Sequence, residues 1–375
     1  MRVRTVLQSL ALVAAIGLLV APLGAAAPKA PGASPKMGER PNEVRGDEIT
    51  PQLKEAVERG LESLSRRQNA SGGYGYGSGY GSGPNGHAGI TALCGLAFMS
   101  AGNLPGRGKY GQTVSKCVDF LLGSTQETGL ISSDNTHGVM YGHGFATLFL
   151  AEVYGMTQDD QVKEKLKKAV QLIERTQNNQ GGWRYTPAPI DADISVSICE
   201  VMALRAARDA GIKVSKEVID KAVEYVKKCQ NGDGGFSYTL GSGGMGGSAF
   251  PRSAAGVAAL YYAGVFEGKE IERGLNYLKQ FVPGKGGPAG GANPAMFGHY
   301  YYGHYYGVQA MFLAGGDYWG MWYPAIRDEL IRNQNKQTGG WSGEAGEDYA
   351  TGMALIILQM PNRYLPVFHG KGPGA

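Results

Sequence analysis

The sequence predicts an all-α protein, a single (α/α)6 toroid in which six helical hairpins form an inner and an outer ring. Three observations predict it. A glutamine recurs at Gln68, Gln126, Gln177, Gln230, Gln280 and Gln334, at intervals of 58, 51, 53, 50 and 54 residues, and self-similarity at such a period marks a repeat array. Helices with one charged face alternate with helices that carry no charge. The composition, 43% hydrophobic and 18% charged over 375 residues, supplies apolar material for a large core. Glycine is abundant, 60 of 375, but follows no Gly-X-Y period, so the chain is not collagenous.

The elements follow in chain order. Arg2 and Arg4 precede an apolar run, Leu10 to Leu23, and small residues at Gly24 to Ala27. This is the pattern of a secretory signal over residues 1–27, cut near Ala26; an uncleaved signal acting as an anchor is the alternative. No second apolar stretch predicts a transmembrane helix once the signal is removed. Its removal takes away two arginines and no acid, so the charge falls from +4 to +2. Residues 28–48, with Pro28, Pro31, Pro35 and Pro41, read as a flexible linker. The toroid is expected over 49–366 and a disordered tail over 367–375. The protein is expected to be secreted, or periplasmic and associated with the cell envelope.

Within the repeats, four of the glutamines precede a Gly-Gly-aromatic triplet: Gly72-Gly73-Tyr74, Gly181-Gly182-Trp183, Gly234-Gly235-Phe236 and Gly339-Gly340-Trp341. Gly129-Leu130 and Gly286-Gly287-Pro288 are weaker copies. Ser215 to Gln230 shows the first helix type. Val218, Ala222, Val226 and Cys229 share one face while Lys216, Glu217, Asp220 and Glu224 take the other, with Ser215 as cap. Gln161 to Gln177 reads the same way. The second type, Ala88–Ala101, Ser253–Val265 and Tyr349–Met360, has no charged face to keep wet over most of its length and is therefore buried. Six buried inner helices and six half-wet outer ones close most simply into a barrel, an open solenoid being the alternative.

If every inner helix runs the same way, the helix starts converge on one rim. The residues near those starts are His87, His143, Asp193, Arg252, His304 and Asp348, with Asp191 and Tyr305 beside them. Five of the six histidines (His87, His137, His143, His299 and His304) fall in these pre-helix stretches. Helix N-termini favour anionic groups, so the rim is the expected ligand site. Each polar residue there serves equally well as a cap for its own helix, Asp193 and Asp348 above all. Tyrosines cluster at 300–302 and 305–306 and again at Tyr74, Tyr76 and Tyr80. Such rings can line a cavity for an isoprenoid, a sugar or a cation, or simply pack between repeats. The glycine-rich stretch 72–86 reads as a flap over one mouth.

The glutamine followed by Gly-Gly-Trp ahead of a buried helix resembles the repeat of squalene and terpenoid cyclases and of protein prenyltransferase β subunits, over about residues 51–360. A closer likeness, through Gly181–Tyr185, Val201–Ala207, Tyr349–Thr351 and Arg363–Pro366, is to secreted prenyltransferase/squalene-oxidase-repeat proteins of the planctomycete type. The resemblance implies an α/α toroid with a central cavity and no settled activity. It also implies a comparison of Asp191-Ala192-Asp193-Ile194 with the cyclase Asp-x-Asp-Asp motif, in which the middle aspartate, here Asp193, is the general acid. Ile194 replaces the last aspartate, and this chain has one barrel where those cyclases have two. In the prenyltransferases an Asp-x-Cys pair holds zinc; Asp193-Ile194-Ser195 puts serine, a poor zinc ligand, in place of the thiolate.

A three-histidine zinc site from His87, His143 and His304 would need a narrow rim, and their repeats are not all adjacent, so neither metal nor cofactor is expected. Gly241–Gly247 is no nucleotide loop, since no strand precedes it and no Gly-Lys-Ser/Thr occurs. Lys+Arg 36 against Asp+Glu 32 is too balanced for a nucleic-acid binder. The four cysteines read as buried thiols, with Cys94–Cys117 and Cys199–Cys229 as the possible bridges. The function expected is therefore binding of a ligand (isoprenoid, peptide or sugar) at the central cavity. The alternatives are a terpenoid-cyclase-like enzyme with Asp193 as acid, and a carbohydrate-active toroid pairing Asp193 with Asp348 or Glu347.

Overall fold

The computed structural model describes residues 47–75, 85–133, 138–241, 247–284 and 298–369. The expected signal and most of the expected linker lie outside them, as do Tyr76, Tyr80, His137 and the Gly286-Gly287-Pro288 copy. The described residues form twelve α-helices: α1 (Pro51–Arg67), α2 (Ala88–Met99), α3 (Gly111–Gly123), α4 (Val139–Thr157), α5 (Asp160–Thr176), α6 (Ile194–Asp209), α7 (Lys216–Lys228), α8 (Phe250–Tyr262), α9 (Lys269–Leu278), α10 (Tyr300–Ala314), α11 (Gly316–Asn333) and α12 (Glu347–Leu358). None is long and apolar enough to cross a membrane.

The two helix types occupy the expected rings. Every residue of α2 is buried, whereas α5 buries only one stripe that includes Val162, Leu166, Ala169, Val170 and Ile173. Each even-numbered helix packs against two others of its kind, in the cycle α2–α4–α6–α8–α10–α12–α2. The last inner helix thus meets the first, and the ring is closed. The odd-numbered helices lie outside it, α1 packing against both α11 and α12.

One repeated hydrogen-bond pattern builds the ring. Gln68 Nε2 donates to Gly72 O and to Thr113 O, both at 3.0 Å. Gln177 Nε2 does the same to Gly181 O (2.9 Å) and Val218 O (2.8 Å), and Gln230 Nε2 to Gly234 O (3.0 Å) and Glu270 O (2.8 Å). The first contact ties the unit's own turn; the second reaches the next outer helix. In the last unit Gln334 Nε2 donates to Gly339 O (2.7 Å) and to Ala56 O of α1 (2.8 Å), so the contact between neighbours also seals the ring.

The first glycine of these turns is required twice over. Gly72, Gly181, Gly234 and Gly339 have φ of +87°, +98°, +90° and +79°, a region side chains disfavour. A Cβ there would sit 2.2–2.7 Å from a carbonyl oxygen of the next outer helix. The aromatic that follows turns inward. Trp183 and Trp341 donate Nε1–H to Ile173 O (2.7 Å) and Leu330 O (2.8 Å). The backbone N–H of Tyr74, Trp183, Phe236 and Trp341 donates to Thr91, Ser197, Ser253 and Thr351 at 2.9–3.0 Å, each hydroxyl lying about one turn inside the following inner helix.

Packing extends past both expected boundaries. Glu48 is buried and accepts from Trp319 Nε1 at 2.7 Å. At the other end Leu365, Val367 and Phe368 are buried. Val367 N donates to the buried Glu152 on α4 at 3.1 Å, and Asn362 Nδ2 donates to Ser100 O beyond α2 at 2.9 Å. The segment after α12 therefore crosses the ring at the C-terminal ends of the inner helices. All four cysteines are buried thiols.

Candidate functional site: a cavity at the helix starts

The opposite mouth holds a cavity of about 590 Å³. All six inner helices, or the residues just before them, contribute to its wall: His87, Gly89, Ile90 and Leu93 at α2, Tyr141 and Phe145 from α4, Ser195 from α6, Arg252 from α8, His299 and Tyr302 at α10, and Glu344 and Tyr349 at α12. Tyr185 and Tyr238, from the turns before α6 and α8, complete it. At these residues the helix starts share one opening.

The residues singled out in the sequence fall into five places. His87 and Arg252 line the cavity. His87 also caps α2, its Nδ1 accepting from Gly89 N (3.1 Å) and Ile90 N (3.4 Å), which puts the proton of the neutral ring on Nε2. Arg252 donates Nη2–H to Gly247 O, and burial lowers its pKa.

Asp193 stands just behind the wall. It is wholly buried and caps α6, Oδ1 accepting from Val196 N at 2.9 Å. Burial raises its pKa, against the pull of the Ser195 and Val196 hydrogen bonds and of Arg184, whose Nε lies 3.7 Å from Oδ2. Asp191 faces solvent and pairs with Arg184 at 2.7 Å.

His143, His304 and Tyr305 are corrected from the rim to the packed wall. Helices α4 and α10 begin at Val139 and Tyr300, four residues earlier than the histidines suggested, so both rings lie one turn inside. His143 Nδ1 accepts from Ile131 N at 3.1 Å and burial takes its pKa down to about 4. His304 sits among Tyr300, Phe250 and Trp322, with ring centroids at 4.5, 4.9 and 5.8 Å, and burial takes it down to about 3. Tyr305 is buried against Phe145 and donates to Met202 Sδ at 3.7 Å. The three histidines of the conceivable zinc site therefore do not converge. No group of three His, Cys, Asp or Glu among the described residues is placed to hold a metal.

Asp348 is a clamp rather than a cap. Gly346 occupies the cap position of α12, while the Asp348 carboxylate accepts from Arg67 Nε of α1 and from Gly75 N at 2.9 Å. It joins the first unit to the last. Asp193 and Asp348 do not face one groove, and among the described residues Glu344 is the one carboxylate lining the cavity.

Glu344 was not anticipated. Its two oxygens accept from His299, Oε2 from the backbone N at 2.6 Å and Oε1 from ring Nδ1 at 3.2 Å. That hydrogen bond raises His299. Burial works to raise Glu344, but the same contacts outweigh it and hold the carboxyl below its usual value. His299 itself has φ +68°, the left-handed conformation that aims both donors at one acceptor. The sequence signal available for Glu344 was only its place just before α12.

The model of the prenyltransferase alpha-alpha toroid domain matches residues 47–293. The chain belongs to that family. No curated protein matches the chain. Among solved structures, the family member shares its fold with the GH76A alpha-1,6-mannanase of a Salegentibacter species, at 12% identity and a TM-score of 0.60 over 83% of this chain and 98% of that one. It is also similar to a type II terpene cyclase from Scytonema in complex with geranylgeranyl dihydroxybenzoate, at 14% identity and TM-score 0.53 over 84% and 98%. Cellobiose 2-epimerase from Bacillus thermoamylovorans is a third, at 14% and 0.59 over 83% and 99%. At these identities the likeness is one of fold.

Proposed function

We propose that this toroid binds a small ligand with an apolar, isoprenoid-like body in the cavity at its inner-helix starts. One observation carries the reading: the hydroxyls of four wall tyrosines are already engaged by other groups of the protein. Tyr141 bonds Ser195 at 2.5 Å, Tyr302 donates to Ser195 O at 2.8 Å, and Tyr185 and Tyr238 bond each other. Ring faces are left for the ligand, with Ile90, Leu93 and Phe145. Arg252 and the His299–Glu344 pair give one part of the wall a polar character suited to a head group. A volume near 590 Å³ falls within the usual range for small-molecule sites, roughly 300–1,000 Å³. The terpene cyclase of the same fold holds a geranylgeranyl compound, which agrees with this body.

Catalysis by Asp193 is the less favoured reading. Its carboxyl is not on the wall; Ser195 and Tyr141 stand between. A serine or phenol is far too weak an acid to protonate an alkene. The glycosidase reading lacks its second carboxylate among the described residues. We further propose that the protein is exported through residues 1–27, as their pattern supports.

Titration of the full chain with farnesol, followed by intrinsic fluorescence, tests the reading. Saturable one-to-one binding is expected, lost in Ala345→Trp, which fills the cavity from a residue of its wall beside Glu344, with the melting temperature unchanged. Absence of binding, binding unaffected by Ala345→Trp, or preference for a mannose oligomer at the same site overturns it. Turnover of an isoprenoid panel that disappears in Asp193→Asn would favour the enzyme instead.

A further inference from the structure

Two phenol oxygens of the cavity wall converge on one residue. Ser195 Oγ donates its single proton to Asp193 Oδ1 at 2.6 Å. The 2.5 Å contact between Ser195 Oγ and Tyr141 Oη can then be made only by the tyrosine proton. Tyr302, from α10, donates its proton to the Ser195 carbonyl at 2.8 Å. Both tyrosines and Ser195 line the cavity, and among the described residues neither phenol oxygen accepts a hydrogen bond. The α4–α6–α10 corner therefore offers lone pairs and no proton.

We propose that this corner selects a hydroxyl group on the ligand, which donates to the Tyr141 and Tyr302 oxygens. The proposal rests on the cavity being the ligand site and adds which functional group it takes. An ether or carbonyl in the same place would set oxygen lone pairs against oxygen lone pairs, and an unsatisfied buried acceptor is costly. An ammonium group is also a donor, but Arg252 brings positive charge to the same cavity while the Glu344 carboxylate is already taken up by His299, so the neutral alcohol fits better. Directionality comes from Asp193. Its Oδ1, which also accepts from Val196 N, accepts from Ser195 and so fixes the order Tyr141 to Ser195 to Asp193.

The test compares farnesol, its methyl ether and farnesylamine against the full chain. Farnesol should bind about tenfold more tightly than the ether, and also more tightly than the amine. In Tyr141→Phe/Tyr302→Phe the preference should vanish, through loss of alcohol affinity and relief of the repulsion against the ether. Ser195→Ala should instead improve the ether, because Tyr141 loses its acceptor and can turn its proton to the cavity. A residue that merely holds the fold would not produce that gain. Equal binding of alcohol and ether, a preference that survives the double variant, or tighter binding of the amine overturns the proposal while leaving the cavity reading intact. Binding of none of the three overturns the cavity reading and the proposal with it.

Discussion

The two ends of the ring are built from the same six helices and end up opposite in character. At the helix starts, rings and a few ionisable groups surround a cavity; at the helix ends, the chain after α12 crosses the opening and buries Leu365, Val367 and Phe368. Polar groups differ in the same sense. His299 and Glu344 at the open end satisfy each other and remain within reach of a ligand. At the closed end, Glu152 is buried with Val367 N as its hydrogen-bond donor, and Tyr262 donates to the buried Gln309 at 2.5 Å. Repetition accounts for the ring and for what the two ends share. The difference comes from the one segment that is not repeated.

Removing that segment should break the contrast. A chain ending at Asn362 loses three buried apolar side chains, and burial of each contributes roughly 1.5–3 kcal/mol. Denaturant unfolding should show a loss on the order of 5 kcal/mol. A loss under about 1 kcal/mol would mean that the crossing segment does not seal the ring, and the difference between the ends would need another cause.

A second effect sharpens the comparison through pH. Burial pushes the Glu152 carboxyl up to about 8, against the hydrogen bond from Val367. The folded state then holds a proton that the unfolded chain releases near pH 4.5. Unfolding is therefore increasingly favoured as pH rises from about 4.5 to about 8, and the penalty is complete above that. Glu152→Gln keeps an acceptor for Val367 and has no proton to lose. It should match the wild type near pH 4.5 and exceed it by a few kcal/mol at pH 8.5. Stability curves that stay parallel across this range would show that Glu152 is ionised in the folded protein.

Much of the ring was legible because its causes are local and repeated. The glutamine, the left-handed glycine and the aromatic each recur at fixed offsets, and each has one structural task at every occurrence. The hydroxyls of Thr91, Ser197, Ser253 and Thr351 belong to the same device, yet a serine or threonine inside an apolar helix carries little signal by itself. The site was legible only in part. Asp193 could be placed at a helix start, but whether it faced the cavity depended on Ser195 and on Tyr141 from another unit. Glu344 lies before α12 and meets His299 across 45 residues of sequence, a contact no local pattern encodes. His143 and His304 misled because a histidine four residues inside a helix looks, in sequence, much like one at its start.

The two histidines flanking the start of α10 give the smallest and most specific test. His299 is mostly exposed, with its ring nitrogen on Glu344; His304, four positions further than Tyr300, is enclosed by Tyr300, Phe250 and Trp322. A raised His299 contributes stability that is present below the unfolded pKa of about 6.5 and is lost as pH rises through its folded value. With so exposed a ring the amount should be about 0.5 kcal/mol or less. His304 has the opposite sign. Its depressed pKa gives stability present above about 6.5 and lost as pH falls toward about 3. In a proton NMR titration, the His299 ring signals should move with a midpoint above 6.5 that drops in Glu344→Gln, while those of His304 should stay fixed down to pH 4. Movement of both rings together near 6.5 would place His304 in water, and the distinction between rim and wall at this helix would fail.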